Sequence, residues 1–139
     1  MTSAVTRTGR AGALYDLLVT ALFATPWTAT LAFDLLRHLH ETLGLPGTPP
    51  PHLTGTPLLM TTLFGVVVTM WSIARWLHPA PLLITLDTAG RLAFASWFLW
   101  ALTQGESRVL AGFLALELLW AGLQARSLLT HYRPSRAHQ

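Results

Sequence analysis

Asp87 and Arg91 stand four residues apart inside a long apolar run, residues 82–102. A helix puts such a pair on one face, where the two side chains can meet as an ion pair. In hydrocarbon these charges are expensive, so they are expected to face other helices or a cavity. Three more polar side chains interrupt apolar runs: Asp16, Glu117, and Gln124 on the same helical face as Glu117. Taking a rise of about 1.5 Å per residue, Asp16 and Asp87 lie roughly 8 Å from one membrane face, Arg91 about 14 Å and Glu117 about 18 Å. A long Arg side chain spans that difference, so the spacing predicts three carboxyls converging on one guanidinium. One guanidinium neutralises one carboxylate well, and the remaining acids should be protonated, hydrated or paired elsewhere. The chemistry open to such a site is a proton relay, a handle for the polar end of a lipophilic ligand, or acid–base catalysis in a dry pocket. The bland alternative is a buried network that fixes helix register.

The elements that must position these residues are apolar helices. Of 139 residues, 52% are hydrophobic and only 11% charged. Apolar runs of about 20 residues recur, the length that crosses a bilayer. The fold expected is all-α, an integral membrane bundle of four transmembrane helices forming a single domain. The helices are placed at residues 11–36, 58–77, 82–102 and 109–129, with an external loop at 37–57 and a cytoplasmic tail at 130–139. The basic residues, all Arg, lie at helix ends and in the tails without aromatic interleaving, which gives no nucleic-acid footprint. The chain has no Cys, which excludes disulfides and thiol redox chemistry.

Residues 1–10 read as a polar cytoplasmic flank. Asp16 interrupts the first apolar run, so a cleaved signal peptide is not expected. Pro26 sits in the middle of the first helix and predicts a kink, with Thr25 or Thr28 re-satisfying the freed carbonyl. Asp16 and Asp34 are 18 residues apart, five helical turns, which places both on one inward face near Thr20, Trp27 and Thr30. In the second helix Thr62, Thr69, Gly65 and Ser72 form a small and hydroxyl face suited to close approach. Arg75, Trp76 and His78 mark its cytoplasmic interface, and residues 78–81 a tight turn. Arg7, Arg10, Arg75, Arg126, Arg133 and Arg136 on one side outweigh Arg37 and Arg108 on the other, which puts both termini in the cytoplasm.

Two further groups bear on ligands. Phe94, Trp97, Phe98 and Trp100 make the outer half of the third helix aromatic and, with Trp120, outline a candidate apolar pocket. His38, His40 and His52 fall in or beside the outer loop and are read as contacting headgroups and water; no metal site is expected.

Asp87-Thr-Ala-Gly-Arg91 in the third helix, Ala101-Leu-Thr-Gln-Gly105 after it and Glu117 in the fourth follow a first helix with Pro and a Pro/Gly-rich outer loop. In this order they resemble the DoxX-like group of small four-helix bacterial membrane proteins, over most of residues 58–129. The resemblance implies a four-helix bundle in the bacterial inner membrane. It also implies an accessory or quinone-associated role near membrane redox or lipid metabolism.

The reading placed first is a ligand-binding or accessory subunit. It would hold a lipophilic molecule, quinone- or lipid-like, or a partner helix, at the Asp16/Asp87/Arg91/Glu117/Gln124 site. A proton-coupled small transporter acting as a dimer comes second, and a membrane enzyme on a sterol, terpene or isoprenoid substrate third. No cofactor is predicted beyond a quinone or lipid occupant. Membrane lipids and either a second copy or a membrane-complex subunit are the expected partners.

Overall fold

A computed structural model of the chain describes residues 3–132, and they are all-α. Five α-helices follow one another: α1 (Ala4–Thr20), α2 (Pro26–Thr42), α3 (Gly55–Leu77), α4 (Pro81–Thr103) and α5 (Val109–Tyr132). A single 3-10 turn, Ala21–Ala24, joins α1 to α2. α3, α4 and α5 are each long and apolar enough to cross a membrane. The α1–α2 pair meets the same test jointly but is bent by 106°, giving three spans, or four if the bent pair is one.

That bend corrects the expectation of one kinked helix over residues 11–36. Pro26 occupies the first turn of a new helix, where its missing N–H costs nothing. Thr25 caps that helix: its hydroxyl accepts the Thr28 N–H at 3.3 Å and lies 2.6 Å from the Thr28 hydroxyl. Helix also begins earlier than expected, at Ala4, with Ser3 as cap. Because the axis turns between them, Asp16 and Asp34 do not share a face: Asp16 is buried, whereas Asp34 is exposed and bonds His52 at 2.9 Å. Trp27, expected on the inward stripe, is 80% exposed.

Burial is the reverse of that in a water-soluble domain. Arg75, Arg91, Asp16, Asp87, Gln124 and Ser72 are buried, while many Leu, Val and Trp side chains of α3, α4 and α5 are exposed. Apolar exposure all round with polar groups inside is what a lipid solvent permits. Small residues let the helices close. A Cβ on Gly65 of α3 would stand 2.3 Å from the Phe23 carbonyl carbon, so the 3-10 turn sits directly on α3 there. Gly9 packs on Ile84, and Val5, Ile84 and Leu128 form a small core at one end of the bundle. The described starts of α1 and ends of α5 therefore lie together with the 78–80 turn, where Arg10 also donates to the Trp76 carbonyl at 3.3 Å.

At the opposite end, the loop after α2 is tied to the turn between α4 and α5. Thr48 N–H donates to the Gly105 carbonyl at 2.9 Å and Arg108 N–H to the Pro46 carbonyl at 3.1 Å. His40, expected in headgroups or water, is instead buried, with Nδ1 2.7 Å from the Ser107 hydroxyl. His38 lies by Thr42 and His52 by Asp34, so the three His do not converge. The expected tail at 130–139 continues α5 as far as Tyr132; the rest of it lies outside the described residues.

Candidate functional site

The polar site is assembled from four helices: Asp16 from α1, Arg75 from α3, Asp87 and Arg91 from α4, and Glu117 with Gln124 from α5. Its centre is a closed ring. Arg75 bonds Asp16 Oδ2 through Nη2 and Asp87 Oδ2 through Nη1, the latter at 2.5 Å. Arg91 bonds the same two oxygens, Asp16 Oδ2 from Nη2 at 2.6 Å and Asp87 Oδ2 from Nε at 3.1 Å. The planar guanidinium fork is pre-organised for this double bridging, which a Lys ammonium, a point charge on a flexible stem, is not.

Neutral donors add further bonds to Asp87. Gln124 Nε2 donates to Asp87 Oδ2 at 2.7 Å and Trp71 Nε1 to Asp87 Oδ1 at 3.1 Å. The Thr88 hydroxyl lies 2.7 Å from the Ile84 carbonyl and 3.1 Å from Gln124 Oε1, so its one proton is shared between them. Aromatic faces cover the cations: Trp71 lies 5.8 Å from the Arg75 guanidinium, and Trp120 and Tyr15 lie 5.8 and 6.0 Å from that of Arg91. Gly12 lets α1 approach, since a Cβ there would stand 3.0 Å from Gln124 Nε2. Among the described residues, Arg75 Nε and Thr69 Oγ1 are the buried side-chain polar atoms left without a partner.

Glu117 stands outside the ring. It accepts one bond, from Arg91 Nη1 to Oε2 at 3.1 Å. Two guanidiniums balance Asp16 and Asp87, so Glu117 is the acid without a cation of its own. Among the described residues its Oε1 has no hydrogen-bond partner, nor does Asp16 Oδ1.

Two cavities open beside these carboxyls. The smaller, about 300 Å³, has Asp16, Asp87, Arg91 and Glu117 on its polar side and Phe64, Val67, Leu86 and Phe94 among its apolar walls. α3 and α4 diverge here although only a short turn joins them, and Phe64 and Phe94 meet edge to face across the gap at 5.9 Å. Gly90 lines this opening, and a Cβ there would touch nothing. The larger cavity, about 500 Å³, shares Asp16, Thr20, Phe64, Phe94 and Glu117 with the first. All six phenylalanines of the chain line it: Phe23, Phe33, Phe64, Phe94, Phe98 and Phe113.

The structure thus brings Asp16, Asp87, Arg91, Glu117 and Gln124 together. The aromatic expectation needs correction. Phe94 and Phe98 face the larger cavity, but Trp97 and Trp100 meet edge to face with ring centres 6.2 Å apart on an exposed face. Trp120 packs on Tyr15 and Arg91 and lines neither cavity. The largest omission is Arg75. Expected at the interface with Trp76 and His78, it is fully buried, at 0% exposure. Its signal was the hydroxyl and aromatic pair one turn before it, Trp71 and Ser72, which serve it in place of water. No known protein family, curated protein or solved structure matches the chain.

Proposed function

We propose that the protein is a non-catalytic, multi-pass protein of the bacterial inner membrane that holds a lipophilic molecule with one polar end. The polar end meets Glu117 and Asp16, and the apolar body lies in the phenylalanine-lined cavity. The observation that carries this reading is that cavity: about 500 Å³ of mainly apolar space with two partner-free carboxylate oxygens at one side. Pockets that bind small molecules combine such apolar walls with a few placed polar groups. The divergence of α3 and α4 provides a lateral way in from the bilayer.

The bent α1–α2 pair counts as one interrupted span in this reading, giving four. Interrupted helices at membrane depth are tolerated where they line a cavity, and Phe23 and Phe33 from either side of the break do so. With Arg75 withdrawn into the interior, five Arg still outweigh Arg37 and Arg108, which keeps both termini cytoplasmic. A quinone-like or lipid-like occupant accords with the DoxX-like resemblance. A second copy or another membrane subunit would cover the apolar outer face of α2, where Trp27, Leu31 and Leu35 are exposed.

The experiment is mass spectrometry of lipophiles that co-purify with the protein in mild detergent, compared with Thr61→Phe, which fills the larger cavity. One compound retained by the parent and lost in the variant is the expected result. Bulk phospholipid alone in both would sink the proposal. A proton-coupled transporter is the second reading, favoured by Glu117 lacking its own cation. Substrate-driven proton movement in liposomes that Glu117→Gln abolishes would establish it over simple binding.

A further inference from the structure

We infer that the occupant of the phenylalanine-lined cavity is a lipophilic organic cation, with Glu117 as its counter-ion. This rests on the binding role proposed above and replaces the neutral quinone-like occupant with a positively charged one.

The inference comes from two independent features of the site. The first is charge. The ring of Asp16, Arg75, Asp87 and Arg91 is balanced within itself, each guanidinium bridging the same two carboxylate oxygens. Glu117 adds a third carboxyl with a single bond to Arg91, and its Oε1 is partner-free beside both cavities. An unmatched carboxylate in apolar surroundings is costly, and a cation at contact distance offsets that cost. Neither guanidinium points a spare charge at the cavity: Arg75 lines neither one, and Arg91 is already bonded to three carboxyls. An anionic ligand would therefore meet partner-free carboxylate oxygens with no available cation.

The second feature is the wall. Every phenylalanine of the chain faces this one space, joined by Tyr15. Aromatic faces carry negative quadrupole charge and attract cations, most strongly where water is excluded. Val19, Leu36, Met60 and Leu110 complete the wall, but the aromatic rings outnumber them, and it is the rings that favour a cation over a neutral apolar guest. A carboxylate and an aromatic lining together select a cation with a large apolar body.

The test compares tetraphenylphosphonium with tetraphenylborate, ions of opposite charge and similar shape, by titration calorimetry of the full chain in detergent. The expected result is phosphonium binding at least tenfold tighter than borate. Glu117→Gln should weaken the phosphonium at least tenfold, while Asp34→Asn, an exposed acid that lines neither cavity, leaves it unchanged. Should Glu117→Gln fail to fold, the parent alone decides. Phosphonium, and not borate, should slow modification of Glu117 by dicyclohexylcarbodiimide, read by peptide mass spectrometry. Equal or tighter borate binding, or a phosphonium preference that survives Glu117→Gln, overturns the inference. If a neutral co-purifying lipophile occupies the site while phosphonium does not, the charge assignment fails and the binding role stands. If neither phosphonium nor any co-purifying compound binds, both fall.

Discussion

Arg75 and Arg91, from different helices, grip the same two oxygens: Oδ2 of Asp16 and Oδ2 of Asp87. The four side chains tie α1, α3 and α4 to one another. Removing one partner of a buried pair leaves an uncompensated charge, which costs about 3–5 kcal/mol. Arg75→Met is therefore expected to lower the melting temperature sharply, and Arg75→Lys to recover only part, since a compact ammonium lacks the guanidinium's rigid planar fork. The check is a melting series in detergent with Asp16→Asn and the double variant, whose effects should fall well short of additive. Additive losses would mean that the ring is not coupled.

Gly65 and Gly90 lie in the middle of neighbouring helices but should respond oppositely to Ala. At Gly65 the new Cβ would strike the Phe23 backbone at 2.3 Å, and overpacking of this kind costs about 1–3 kcal/mol or more. At Gly90 nothing lies within reach, so Ala should be neutral or gain up to about 1 kcal/mol in helix propensity. Parallel melts of the two variants decide it, and a tolerated Gly65→Ala would place the 3-10 turn away from α3.

Thr25→Ala removes the cap that starts α2 and should cost about 1 kcal/mol, while Thr25→Ser should restore most of it. Hydrogen exchange of the α2 amides would show where the loss falls. An unchanged exchange profile for Thr25→Ala would argue for one continuous helix through Pro26.

The polar site was more legible than the elements around it. Asp87 and Arg91 announce themselves by spacing, and depth alone brings Asp16 and Glu117 to their level. Arg75 was not legible in the same way. A Trp and a His beside it at a helix end look like an interface, and only the fold shows that the ring closes over it. Thr25-Pro26 carries the signature of a helix start, a capping hydroxyl and then Pro at the first turn. Apolar residues on both sides made it read as a kink. The phenylalanines are spread over α2, α3, α4, α5 and the 3-10 turn, so no local pattern gathers them into one cavity.

Ser107 joins two contacts at the α4–α5 turn: its hydroxyl lies 2.7 Å from His40 Nδ1 and accepts the Val109 N–H at 3.2 Å. Ser107→Ala leaves buried polar groups unpaired, at a cost of about 1–3 kcal/mol. Faster hydrogen exchange in residues 43–54 is the expected signature, because that loop is anchored to the same turn. Exchange unchanged in the loop would mean that its own contacts to Gly105 and Arg108 suffice.

Photolabelling with a lipophilic diazirine in native membranes tests the cavity most directly, with insertion sites mapped along α5. Phe113 faces the cavity, whereas Leu119 and Leu123 are exposed on the outer surface. A bound ligand gives labelling at Phe113 that saturates with concentration and disappears in Thr61→Phe, while Leu119 and Leu123 label in linear proportion. Labelling that is linear at all three positions and indifferent to Thr61→Phe would contradict a binding cavity.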